Sequence, residues 1–319
     1  MSNFNDFYIK SFDDAADIRV RKWTPDCDVV GTVQIAHGIA EHCERYDEFC
    51  EFLSKKGIAV YINDHRGHGK SVSNGKIGYF AKENGWNKVV ADMHSIYEIS
   101  NQDYPGVSHI LFGHSMGSFL ARTYQFTYVD DFDGVIICGT AQMPGVVVGA
   151  GHALASLISK FADDKPSDIL DKIAFGAYNN NFKPARTKFD WLSRDESVVD
   201  RYIADPMCGF VATAGLFKDM MSGLKMIANP VNVSKMNKLT PVLFIAGNED
   251  PVGENGKGVV RAVKAFENAC IKSVSLKLYE GARHELLNEI NKYVVFEDIY
   301  SWITTKVLRR KYKNDSEGI

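Results

Sequence analysis

The order of elements along this 319-residue chain predicts an α/β fold: a mostly parallel central sheet flanked by helices, with a helical cap inserted into it. Three observations carry the prediction. Short β-branched apolar runs, "TVQIAHG", "IAVYIND", "VSHILFG", "GVIICGT", "PVLFIAG" and "SVSLKLY", each stop at or just before glycine, asparagine or another turn residue. Longer segments of helical period lie between them, among them "NKVVADMHSIYEIS" and "GKGVVRAVKAFENAC". The alternation breaks once, from Met143 to Lys238, where amphipathic pieces such as "GHALASLISKFA", "ESVVDRYIA" and "GLFKDMMSGLKMIA" replace strand-like runs.

The elements follow in order. "DFYIKSF" and "IRVRKW" read as an antiparallel pair leading into the sheet. Four strand–helix alternations come next, then the helical stretch, and the sheet resumes at "TPVLFIAG". Because the chain leaves and re-enters one sheet, residues 143–238 read as a cap and residues 1–142 with 239–319 as the core. A separate α-helical domain is the alternative.

Composition narrows the function. An apolar fraction of 45% with 24% charged residues is that of a soluble globular chain. A net charge of −3 and a pI near 6.3 leave no electrostatic footprint for nucleic acid. The start "MSNFNDFYIKSFDDAAD" has neither the basic end nor the apolar centre of a signal peptide, and no run approaches the length of a bilayer-spanning helix. The six cysteines form no CxxC pair and no metal-ligand spacing, so free thiols and a cytoplasmic location are expected.

The chemistry centres on "ILFGHSMGSFLA". A GxSxG pentapeptide acts as a nucleophile elbow only between a buried strand and a helix, where the serine sits on a sharp turn with its hydroxyl exposed. "VSHILF" supplies the strand and "MGSFLARTYQFTYV" the helix. Gly113 and Gly117 let the two approach, and the helix N-terminal amides favour developing negative charge. Ser115 is the candidate nucleophile. A serine hydroxyl needs a base that is itself oriented by an acid, and on this topology both follow later strands, acid first. "PVLFIAGNEDPVG" delivers Asp250, and "SVSLKLYEGARHELLNEI" delivers His284 at the start of a helix. Glu249 is the weaker candidate acid, because Pro251 suits a turn that aims Asp250 inward.

Other histidines have duller readings: His109 on a strand, His94 and His152 on helices, His114 beside the nucleophile on a diverging side chain. His65, His68 and Asp64 in "NDHRGHGKS" invite a metal reading, but the loop's small residues suggest a tight structural turn, and no metal is assigned. Oxyanion donors should be the amide after the nucleophile, Met116, and one from the loop after an earlier strand; "AHGIAEHCERY" makes that Ile39, with His37 and Glu41 bracing the loop.

Taken together, "HGIAEHCERY", "NDHRGHGKS", "GHSMG", "GNEDPVG" and "GARHELLNE" resemble the monoacylglycerol lipase and lysophospholipase-like branch of the α/β-hydrolase superfamily, of the serine aminopeptidase S33 type. The resemblance runs from Thr32 to Glu289 and is weak in the insertion. It implies an α/β-hydrolase fold, the triad Ser115, Asp250 and His284, oxyanion amides at Ile39 and Met116, and a cap over an acyl-binding tunnel. Ile39 and Ala40 depart from the family's small residue and glycine at those positions, which reshapes the pocket beside the oxyanion hole.

In the cap, Phe210, Leu216, Phe217 and Met220, with Met221 and Leu224, read either as cap-to-core packing or as an acyl-chain wall. The function expected is cofactor-free hydrolysis of carboxylic esters of monoacyl lipids, monoacylglycerol or lysophospholipid, through an acyl-enzyme. A short-chain carboxylesterase, a thioesterase, a transacylase or an aminopeptidase could run on the same triad. An aminopeptidase would want acids such as Asp195, Glu196 and Asp200 to hold an amine, yet these read as a solvated helix face. A non-catalytic ligand-binding member of the fold would usually have lost a triad residue. The basic ending "KVLRRKYKN" suits a helix C-terminus and offers at most transient contact with a membrane surface.

Overall fold

The structure, a computed structural model, describes residues 3–308. Its strands are β1 (Asn3–Lys10), β2 (Asp17–Thr24), β3 (Gly31–Ala36), β4 (Ile58–Asn63), β5 (Ser108–His114), β6 (Gly134–Cys138), β7 (Val242–Gly247) and β8 (Val274–Tyr279). They form one sheet in the order β1-β2-β4-β3-β5-β6-β7-β8. β1 and β2 pair antiparallel, as do β2 and β4, and every later pairing is parallel. Each apolar run expected to be a strand is one. The central strands β3 to β7 are buried along their whole length, which is why they read as unbroken apolar runs.

Helices cover both faces. α1 (Asp47–Lys55) and α10 (Lys292–Trp302) pack on one, where Phe49 meets Phe112 and Phe296 at ring separations of 5.8 and 4.9 Å. α2 (Gly85–Asp103), α3 (Met116–Thr127) and α9 (Lys257–Asn268) pack on the other, with Leu111, Val135 and Phe244 beneath them. Neighbouring residues of β5 therefore serve opposite cores, Phe112 one and Leu111 the other. The sheet turns back on itself between β3 and β5: the chain runs from β3 to β4 on one side, then to β5 on the other. Loops leaving the carboxyl ends of two such strands diverge and open a crevice.

Between β6 and β7 the described chain holds helices and no sheet strand: α4 (Gly145–Ala162), α5 (Asp168–Phe175), α6 (Glu196–Ala204), α7 (Ala214–Ala228) and α8 (Pro230–Val233). α4 and α7 pack together, and α7 also rests on α2, where a Cβ on Gly223 would fall 2.1 Å from the Trp86 ring. α4 corrects one expectation. Its 18 residues, with a mean hydropathy of 1.4, match a bilayer-spanning helix in length and composition. Val146 and Phe161 of α4 and Ile169 and Ile173 of α5 face outward, each more than half exposed. Of the basic ending, the part from Arg309 onward lies outside the described residues.

The seam between the insertion and α2 holds a buried carboxylate. Asp219 of α7 lies over Gly85, the first residue of α2, with Oδ2 buried and unpartnered. Burial pushes its pKa up to about 7, and Asp163 adds to the shift against the pull of Lys218. In the unfolded chain an aspartate titrates near ~4, so the native state holds the extra proton between those values. This contribution to stability is complete below pH ~4 and is lost as pH rises toward 7, by up to ~4 kcal/mol. Asp219→Asn is expected to flatten the decline between pH 4 and 7 and to raise the melting temperature at pH 8. Parallel thermal melts of the two proteins across pH check it; identical slopes would contradict it.

Candidate active site

Ser115 stands between β5 and α3 with φ 53° and ψ −121°, a region that costs a non-glycine residue ~1–3 kcal/mol. The surroundings impose it. Ser115 N–H donates to Cys138 O of β6 at 3.0 Å, and Ser118 N–H donates back to Ser115 O at 2.8 Å. The flanking glycines permit the approach: a Cβ on Gly113 would lie 2.4 Å from Gly117 O, and one on Gly117 2.0 Å from Ala36 O. Met116 opens α3, so its N–H has no acceptor within the helix.

The loop after the neighbouring strand β3 brings Ile39 to the same crevice. Its shape rests on buried polar groups. His37 Nε2 accepts from His65 N–H at 2.9 Å, so the Nδ1 proton is donated to Gly38 O at 2.7 Å. Gly38 N–H donates to Glu41 Oε1 at 2.6 Å. Ala40, with φ 54°, turns its carbonyl to the insertion, where Gly209 N–H and the Tyr202 hydroxyl each donate to it at 2.9 Å. Gly38 also faces Ser115: a Cβ there would lie 2.6 Å from Glu41 Oε1 and 3.1 Å from Ser115 Cβ. Gly38→Ala is expected to cut kcat by ~10²–10³, the usual cost of a displaced oxyanion donor, in a protein that still folds. Steady-state rates with a melting curve check it, and an unchanged kcat would count against this loop.

β7 and β8 deliver the other pair. Asp250 is fully buried in the turn after β7, where Val252 N–H donates to its Oδ1 at 2.9 Å, whereas Glu249 is exposed. His284 Nδ1–H points at both Asp250 oxygens, each 3.0 Å away, which leaves Nε2 free of that carboxylate. His284 lies in the loop after β8, ahead of a short turn at Leu286–Asn288, and not at a helix start as its sequence context suggested. The insertion holds this loop too: His284 N–H and Glu285 N–H donate to Trp191 O and Leu192 O at 3.3 and 2.8 Å.

Beneath both loops runs a buried network. Arg45 forks onto Glu285 with two 2.6 Å bonds and reaches Glu41 at 2.7 Å. Glu41 also accepts from the Tyr46 hydroxyl at 2.9 Å and meets His114 Nδ1 at 3.2 Å. Burial alone would raise the Glu41 carboxyl, but the His114 hydrogen bond and the Arg45 charge outweigh it and hold it well below the usual carboxylate range. For His114, burial works against the charged ring, and the bond and charge of Glu41 win, so its pKa is raised. His114 is therefore a strut of the network, with its ring 4.8 Å from that of His284.

Ser115, His284, Ile39 and Met116 all border one cavity of about 700 Å³ between the sheet and the insertion. Phe210 and Met220 line it, as do Met221 and Leu224. Leu216 and Phe217 do not, and the acyl-wall expectation is corrected for them. Both belong to α7 and are buried in the core, Phe217 with its ring 6.1 Å from that of Phe175, which does line the cavity. Helical spacing marks an apolar stripe without saying which neighbour covers it. Sequence reasoning also missed Tyr178 and Trp191, which reach the cavity from the insertion; the Trp191 ring lies 5.1 Å from His284. Their one signal was aromatic residues in a stretch without strand or helix period, as in "FDWLS".

The "NDHRGHGKS" loop is structural. Asp64 accepts from Cys43 N–H and Lys70 N–H at 2.8 Å each, and the His65 ring packs tilted against His37 with centroids 4.2 Å apart. The six cysteines are all unpaired. Asp195 caps α6 and Asp200 pairs with Arg186 at 2.6 Å, so neither is at the cavity.

Comparison with known proteins places these features in context. A family model described as serine aminopeptidase, S33, matches residues 28–291. A monoacylglycerol lipase of Mycolicibacterium smegmatis is 30% identical over 286 residues, covering 89% of this chain and 91% of that one. A monoglyceride lipase of Mus musculus is 28% identical over 294 residues, covering 90% and 86%. The crystal structure of a highly thermostable carboxyl esterase from Bacillus coagulans in complex with glycerol superposes with a TM-score of 0.89 at 27% identity, covering 96% of this chain and 100% of that one.

Proposed function

The chain belongs to the serine aminopeptidase S33 family of α/β-hydrolases and is a carboxylic ester hydrolase, and from that premise we propose that it cleaves monoacyl lipids, monoacylglycerols or lysophospholipids, with Ser115 as nucleophile. One observation carries the reading: the cavity that holds Ser115 and His284 in its wall is about 700 Å³ and mostly apolar, room for a single acyl chain.

The chemistry is a two-step acyl transfer. As the Ser115 hydroxyl attacks the ester carbonyl, its proton passes to His284 Nε2, and Asp250 holds the ring and balances the imidazolium charge. The oxyanion lies against the N–H groups of Ile39 and Met116. His284 then protonates the leaving alcohol. In the second step it takes a proton from water, whose oxygen attacks the acyl-enzyme, and the acid leaves as Ser115 regains its hydrogen. No step calls for a group from outside the chain.

Residues 143–238 act as the cap. The helix that carries Asp171, Lys172 and Phe175 to the cavity also presents Ile169 and Ile173 outward, beside the apolar face of α4. That arrangement supports brief contact with a lipid surface while a substrate leaves it for the cavity. An aminopeptidase is less well supported. Glu41 and Glu285 border the cavity but are both tied to Arg45, Asp168 and Asp171 line it beside Lys172 and Lys188, and Asp195, Glu196 and Asp200, the acids expected to hold an amine, are outside it.

Hydrolysis of an ester series from acetyl to palmitoyl, with monoacylglycerols and lysophospholipids included and Ser115→Ala as blank, tests the reading. Activity rising to long monoacyl chains and absent from the blank is expected. Turnover confined to short esters would make the protein a small-molecule carboxylesterase.

A further inference from the structure

We infer that His42, Asp205 and Cys208 form a binding site for a divalent transition-metal ion, Zn²⁺ foremost, and that the ion fastens the cap to the oxyanion loop. One ligand atom from each of the three lies within 4.8 Å of the other two. The residues come from distant parts of the chain, His42 and Asp205 being 163 positions apart, so ligand spacing in the sequence could not show them.

The ring of His42 already faces the carboxylate. Its Nε2 lies 2.8 Å from Asp205 Oδ2, on a side chain that is 3% exposed, so an ion shared with Asp205 takes the place of the proton between them. Imidazole, carboxylate and thiolate together suit zinc, whereas calcium and magnesium want oxygen alone. Asp205 is 28% exposed, which gives an ion a path in and a water as fourth ligand.

Local charge permits a cation. Arg45 is the strong positive group nearby, and Glu41 and Glu285 both pair with it while His114 lies against Glu41, so the cluster carries no excess positive charge; burial pushes the Cys208 thiol up, so the ion itself has to displace that proton. Binding balances simply: Cys208 releases its thiol proton to solvent as the sulfur takes the ion, His42 binds as neutral imidazole, and no electron moves.

The ion would act on a seam that already exists. Gly209, next to Cys208, donates to Ala40 O, and Tyr202 donates to the same carbonyl, one residue from Ile39. Fixing Asp205 and Cys208 to His42 stiffens the seam beside Ile39, so zinc slows turnover. This last consequence rests on the lipid-ester reading; the site itself does not.

Titration of Co²⁺ into the reduced full-length protein tests the site directly. One equivalent is expected to bind, with thiolate-to-cobalt charge-transfer absorption and the visible bands of a tetrahedral ion. Cys208→Ser should lose the charge-transfer band, and a Cys27→Ser/Cys270→Ser protein, lacking the two exposed thiols, should keep it. Should Cys208→Ser fail to fold, Asp205→Asn is the substitute, with Co²⁺ affinity lowered at least about tenfold. A wild type without the band, or a band that survives Cys208→Ser, overturns the site. In the second arm, Zn²⁺ lowers esterase turnover, a chelator restores it, and Cys208→Ser is insensitive. Inhibition that persists in Cys208→Ser places zinc elsewhere and overturns the clamp. A protein that cleaved no lipid ester would leave the absorption arm intact, so the two readings fail separately.

Discussion

Ser115→Ala is expected to lower kcat on a long-chain monoacylglycerol by on the order of 10⁶, with binding little changed, because the hydroxyl makes its bond only on the way to the transition state. Groups that act as one unit are not additive, so His284→Ala should cost about as much alone as together with Ser115→Ala. Asp250→Asn should cost on the order of 10⁴ in a folded protein: the amide keeps the shape but favours the wrong ring tautomer. That tautomer matters because both Asp250 oxygens lie 3.0 Å from His284 Nδ1. Labelling by a fluorophosphonate in wild type and none in Ser115→Ala would identify the nucleophile independently of substrate. Turnover that survives Ser115→Ala in pure protein would sink the triad, and no turnover with no labelling in the wild type would leave the cavity as a ligand-binding pocket.

Arg45→Met carries the second large effect, this time on stability as well as rate. Arg45 makes three bonds of 2.6–2.7 Å to Glu41 and Glu285, carboxylates whose side chains are 4% and 3% exposed. Removing it leaves two buried negative groups facing one another, at a cost of ~3–5 kcal/mol. Activity should fall with stability, since Glu41 holds Gly38 N–H and Glu285 adjoins His284. Arg45→Lys should recover little, as an ammonium cannot fork onto Glu285. Glu285→Gln in the Arg45→Met background should recover part of the loss by removing one stranded charge, and the double-mutant cycle measures the coupling. Urea unfolding with kcat/KM for each variant decides it; a midpoint unchanged in Arg45→Met would show that the network supports nothing.

Much of this architecture was legible before any coordinates. β3 to β7 were readable because strands buried on both faces cannot hide their apolar runs, whereas β8, a largely exposed edge strand, was readable from the alternation in "SVSLKLY"; Ser115, Asp250 and His284 stood out because each lies in the turn or loop just after one of these strands. Chemistry assembled across the chain was not. Arg45 and Glu285 are 240 residues apart, and a charged residue in a sequence looks the same whether solvated or buried in a fork. Leu216 and Phe217 fell on the packing side of two open readings for a related reason: periodicity shows that a helix face is covered, and tertiary contact alone shows by what. α4 was underread because its apolar residues are interrupted by small ones, although as a helix it presents a continuous outer face.

The spread of the site along the chain has a consequence for biosynthesis. The proposed nucleophile and oxyanion loop lie in the first half of the sequence, the proposed acid follows after the insertion, and the proposed base is residue 284, in a loop that Glu289 pins by accepting from Arg283 N–H at 2.8 Å. A chain made as far as Cys138 holds the carbonyl that Ser115 N–H donates to, and neither the proposed acid nor the proposed base. On the proposed roles, hydrolysis by Ser115 has to wait until residue 284 has been made, after residues 143–238 that would cover the crevice.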